Sequence, residues 1–117
     1  MPSDHPITIT PLKGRVIVNW RGQTIVDTTR ALELNEHVYP PVIYAPREDA
    51  KMRLLEPSTR KTTCPYNGLA NYFSLSDNGL RAENAVWTYE NPKAEAAAIA
   101  SHLAFHADRV SIVRRDV

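Results

Sequence analysis

Apolar and polar positions along this chain change character every few residues, and the changes outline short strands rather than long helices. Residues 15–20 (RVIVNW) and 24–28 (TIVDT) are rich in β-branched and aromatic side chains, the composition of half-buried strands. Between them lie Arg21 and Gly22, and Gly22 supplies the positive φ of a tight hairpin turn. A loop of those two residues sets Trp20 opposite Gln23 and Val18 opposite Ile25 on one side of the ribbon. Residues 30–36 alternate loosely around Ala31, Leu32 and Leu34, and are read as a strand. Pro40 and Pro41 break the chain before a short strand at 42–44, which Pro46 stops. One helical turn is expected at 47–50, since proline suits the first helical position.

Residues 52–55 are read as another strand before Pro57 and Ser58. Thr62, Thr63 and Cys64 are extended by preference, the last because a proline follows it. Asn67-Gly68 marks a turn. Strands at 72–76 and 85–89 are joined across the three residues 77–79. The alanine-rich run 94–100 is the one strongly helix-favouring stretch, and 110–113 closes as a strand. About seven to nine short strands against one or two short helices predict a mainly β domain. The arrangement is antiparallel, as a sandwich or partly open barrel. Residues 1–13 read as an N-terminal arm and 14–117 as a single β-rich domain.

Composition narrows the function classes. With 117 residues, 43% hydrophobic and 23% charged, the chain fits one ordinary globular domain. Fourteen basic residues nearly balance thirteen acidic ones and are scattered, which argues against nucleic-acid binding. One cysteine cannot make an internal disulfide. No apolar run is long enough to cross a bilayer, and the first residues lack a signal-peptide pattern. A soluble cytoplasmic protein is the expectation. There is no glycine-rich phosphate cradle and no serine-nucleophile elbow.

Two segments carry candidate chemistry. TTCPYNGLANY (62–72) holds Cys64 together with Tyr66 and Tyr72. Cys64 is either a small apolar filler or a nucleophile, which would require a nearby cation or base to make it thiolate. In the second segment, strand alternation puts Glu83, Ala85, Trp87 and Tyr89 on one side. That face is either part of the core or the wall of a pocket with Glu83 at its polar end. His5, His37, His102 and His106 raise the question of metal. His102 and His106 share a face if 101–106 is helical, and stand roughly 13 Å apart if it is a strand. No carboxylate motif or second cysteine supports a metal site, and no cofactor is expected.

Taken in order, the first hairpin, RALELNE (30–36), PVIYAPRED (41–49), TCPYNG (63–68), AENAVWTY (82–89), and LAF (103–105) with DRV (108–110) resemble the bacterial family known as domain of unknown function 427. The resemblance covers residues 14–113. It implies a compact β fold similar to the β-tent group, two antiparallel sheets packed at an angle, and it brings no established reaction. A nucleotidyltransferase-like label sometimes attached to the family finds no support in these residues. Nor does the zinc held by paired CxxC motifs in some β-tent relatives carry over to a chain with one cysteine. The family pattern maps onto Tyr44, Pro46 and Arg47, then Cys64, Pro65, Tyr66 and Gly68, then Glu83, Asn84, Trp87 and Tyr89, and Phe105. Asn67 stands where the family usually has lysine, which removes a cation from beside Cys64. His106 stands where tyrosine is usual.

The leading expectation is a small-molecule-binding domain. In it Tyr44, Tyr66, Trp87 and Tyr89 form an aromatic wall around Cys64 and Asn84, while Glu83 and Arg47 hold polar ends of the ligand. An enzyme using Cys64 or Glu83 in nucleophilic or acid–base chemistry remains open. So does a structural or interaction module, including one that self-associates.

Overall fold

The computed structural model describes residues 7–36 and 39–116; His5 and His37 lie outside them. Ten antiparallel strands and three 3₁₀ segments make up the described chain. The first strands are β1 (Ile7–Pro11), β2 (Arg15–Trp20), β3 (Gln23–Thr28), β4 (Leu32–Glu36) and β5 (Val42–Tyr44). They are followed by β6 (Leu55–Cys64), β7 (Gly68–Asp77), β8 (Leu80–Thr88), β9 (Ala104–Phe105) and β10 (Ser111–Arg115). The segment read as a leading arm thus supplies β1, paired with β4 from Ile7↔Glu36 to Pro11↔Leu32.

Where two sheets were expected, hydrogen bonding divides the strands among three, in the orders β1-β4-β5, β10-β2-β3 and β6-β7-β8-β9. A single bridge joins the first to the third. Ala45 and Leu103 exchange both backbone hydrogen bonds, each 2.8 Å. One bridge makes no ladder, so β5 and β9 touch there and then part.

Turn chemistry explains the hairpins. Arg21 and Gly22 both have positive φ (52° and 78°), as do Asn78 and Gly79 (49° and 80°), the backbone of a two-residue turn whose twist suits flanking strands. The second loop is therefore Asn78-Gly79 alone, with Asp77 paired to Leu80, rather than three residues. In the first hairpin Trp20 does face Gln23, but Val18 faces Val26, because the register shifts after Val18. Ile25 is the extra residue of a β-bulge, and both it and Val26 are buried.

Two further expectations change. Residues 52–54 form a 3₁₀ turn rather than a strand, and the strand begins at Leu55. The alanine-rich run is a 3₁₀ segment, Ala94–Ile99, interrupted at Ala96. Ala96 and Ile99 are its buried residues, and a spacing of three puts both on one face of a 3₁₀ turn. The single turn after Pro46 forms as expected, at Arg47–Asp49.

Packing gathers into two clusters. The larger joins Val16, Val18, Trp20, Ile25 and Val26 of the first hairpin to Leu75, Val86, Leu103 and Phe105. The smaller gathers Leu34, Tyr44, Ala70, Tyr89, Ala96, Ile99 and Ala104. Among the described residues no helix is long and apolar enough to cross a membrane.

Candidate functional site

The parting of β5 and β9 leaves a hollow. If the Ala45↔Leu103 register continued, Ile43 would oppose Phe105 and Pro41 would oppose Ala107. Pro41 has no N–H to give such a ladder. Instead Pro41, Val42 and Ile43 line one side of a 230 Å³ cavity, and Phe105, His106 and Ala107 line another. Trp87 of β8 and Ile112 of β10 complete the wall. All three sheets therefore contribute to it. The Trp87 and His106 rings pack with centroids 4.7 Å apart, tilted by 48°.

His106 also borders a wider, polar groove of 430 Å³, lined with Arg60, Glu83, Asn84, Asp108 and Arg109. Its floor comes from two bulges flanking β7. Between Pro57↔Phe73 and Lys61↔Asn71, β6 spends three residues, 58–60, against Tyr72 alone. Between Phe73↔Val86 and Leu75↔Ala82, β8 spends three, 83–85, against Ser74. Asn84 takes a left-handed backbone at φ 52°, which asparagine tolerates better than most residues. Its N–H donates to Ser74 Oγ at 3.0 Å, and its Oδ1 accepts from Ser58 Oγ at 2.5 Å. The two bulges are thereby tied together across β7.

The remaining candidate residues fall elsewhere. Tyr44 and Tyr89 do converge with Cys64, but in the smaller core cluster, where they are only 2% and 7% exposed. Burial pushes the Tyr44 phenol well above its usual value, only partly offset by the Trp87 indole N–H donated to its oxygen at 3.3 Å. Tyr89 is pushed up to about 12, again chiefly by burial, with a hydrogen bond to Asn67 acting the other way. Tyr66 sits half-buried on the turn after β6. Cys64 is half-buried, and no hydrogen bond joins it to a histidine among the described residues.

Asn67, which stands on the turn beside Cys64, is 3% exposed. Its Nδ2 donates to Glu36 Oε1 at 3.2 Å, while its Oδ1 is buried without a hydrogen-bond partner. The cation near this turn is Lys93, and its Nζ donates to the Pro65 carbonyl at 2.7 Å. Arg47 is a brace. It donates to Ser101 O at 2.7 Å, Thr88 Oγ1 at 3.2 Å and Glu90 Oε2 at 3.0 Å, and its guanidinium lies 5.4 Å from the Phe73 ring centroid.

The bulge also breaks the alternation expected of Glu83 and Ala85: Glu83 is exposed and paired with Arg81 at 2.9 Å, and Ala85 is fully buried. Residues 104–105 are strand, so His102 and His106 do not share a helix face. His102 Nδ1 lies 3.0 Å from Ala100 O.

Of the sequence candidates, then, Trp87 reaches the cavity and Glu83 and Asn84 reach the groove. Arg60, Asp108 and Arg109 had no chemical signal of their own. Pro57 within an edge strand and an asparagine inside an apolar strand are the sequence marks of the two bulges.

No curated protein matches the chain. A family model described as a domain of unknown function (DUF427) matches residues 8–116, and with that nearly full-length match the chain belongs to the DUF427 family.

Proposed function

We propose that this domain binds a small molecule in the cavity between β5, β9 and Trp87. The observation that carries the proposal is a half-buried tryptophan on the wall of a 230 Å³ apolar hollow. An apolar pocket with a few polar groups at its mouth is the common design of small-molecule sites. Cavities of about 150 Å³ already take up benzene, so a single aromatic or aliphatic ring suits this one. Compared with the aromatic wall expected from sequence, the site keeps Trp87 and exchanges Tyr44, Tyr66 and Tyr89 for Ile43, Phe105 and Ile112. The β1-β4-β5 and β6-β7-β8-β9 sheets, bridged at Ala45 and Leu103, would form one panel of a β-tent and the β10-β2-β3 sheet the other, with the ligand held where they meet.

Crystals soaked with single-ring fragments such as indole and phenylacetamide test the proposal. Density for a ring against Trp87, between Ile43 and Phe105, is expected. Fragments found only at other places on the surface would count against it.

A further inference from the structure

The groove beside the cavity has a charge pattern that names a ligand class. Most of its neighbours' charges are already matched: Glu83 is held by Arg81, which also pairs with Glu56 at 2.7 Å. Arg60 and Arg109 have no ion-pair partner among the described residues. Arg60 lies 5.2 Å over the Tyr72 ring, and Arg109 closes a turn through its N–H to His106 O at 3.0 Å. Against these two cations the groove holds one unmatched carboxylate, Asp108. The Asn84 side-chain NH₂ likewise donates to nothing among the described residues, since its hydrogen bonds run through its backbone N–H and its Oδ1.

Two guanidinium groups with no ion-pair partner and an amide NH₂ with no acceptor among the described residues, at the mouth of an apolar hollow, suit an anion attached to a ring. The cavity alone, at 230 Å³, is smaller than the roughly 300–1,000 Å³ of most ligand pockets, so a ligand filling it extends past His106 into the groove. Resting on the binding proposed above, we infer that the ligand is an amphipathic small acid. Its ring sits against Trp87, and its carboxylate or phosphate is held by Arg60, Arg109 and the Asn84 amide. The tie to Ser74 fixes the Asn84 backbone beforehand and the tie to Ser58 fixes its amide, which reduces the ordering cost of binding.

Calorimetric titration of the full chain with phenylacetate, phenyl phosphate, neutral phenylacetamide and inorganic phosphate tests the inference. At least one of the two ring acids is expected to bind about tenfold tighter than the amide, an advantage that shrinks with added salt. The stronger of the two identifies the anionic group. Arg60→Gln and Arg109→Gln, both at exposed positions, are each expected to remove most of that advantage and to weaken amide binding far less. An amide that binds as tightly as both acids, or an advantage untouched by both variants, overturns the inference and leaves the cavity as a binding site. Inorganic phosphate binding as tightly as phenyl phosphate overturns it too, by removing the ring from recognition. If none of the ring probes binds, the inference and the proposed function fall together.

Discussion

His106 packs its imidazole against Trp87 at 4.7 Å and, among the described residues, is the one that borders both the apolar cavity and the polar groove. His106→Ala is expected to widen the passage between the two hollows and expose more of the indole to water. Trp87 emission should then move to longer wavelength, while stability falls by about 1 kcal/mol or less, because the histidine is exposed. An unchanged emission spectrum would mean that His106 does not shield the ring.

Asn84 holds a left-handed backbone inside the β8 bulge, tied to the β6 bulge through Ser58. Asn84→Gly loses the side-chain hydrogen bond, at about 1 kcal/mol. Asn84→Ala loses the same bond and also places a Cβ in left-handed geometry, for a further ~1–2 kcal/mol. Urea denaturation should rank alanine below glycine. Equal stabilities would mean that the left-handed backbone is not what asparagine serves there.

Arg47 ties the corner after β5 to β8 and the segment beyond it. Arg47→Met removes a partly buried charge-assisted network, and about 2 kcal/mol of stability is expected to go with it. Binding of a ring probe at Trp87 should survive at temperatures where the variant remains folded. Loss of binding with stability intact would restore Arg47 to the ligand site.

Tyr44 and Tyr89 are raised above the ordinary phenol value by burial. In the unfolded chain both lose their protons near pH 10, while in the folded chain Tyr89 holds its proton to about 12 and Tyr44 is also raised. Above pH 10 the unfolded state therefore binds fewer protons, and stability declines as pH rises. Below pH 10 these two groups leave stability unchanged. The Tyr89 part of the decline falls between pH 10 and about 12. Denaturation midpoints measured from pH 8 to 12 check it, and a flat profile through that range would contradict the buried phenols.

What the sequence made legible follows its local signals. Arg21-Gly22 and Asn78-Gly79 mark their hairpins, and Pro46 marks the turn at Arg47. The register slip at Ile25 was invisible, because an apolar bulge residue reads like any other strand residue. Most of β6 was missed because Pro57 and a polar run hide an edge strand, where a proline is tolerated. Trp87, Glu83 and Asn84 stood out by type. Tyr44 and Tyr89 stood out equally, and only packing separates a core aromatic from one on a cavity wall. The cavity itself depends on where β5 and β9 stop pairing, about 60 residues apart in the chain, and no local spacing encodes that.

The chain has two tryptophans, and they report opposite things. Trp20 is buried in the larger core, and Trp87 lines the cavity. Titrating ¹⁵N-labelled protein with phenylacetate or phenylacetamide while following the two indole N–H signals therefore tests the proposed site most directly. The Trp87 signal is expected to move progressively and saturate while the Trp20 signal stays in place. Two signals that stay still at millimolar probe, or that move together, would contradict a binding site at Trp87.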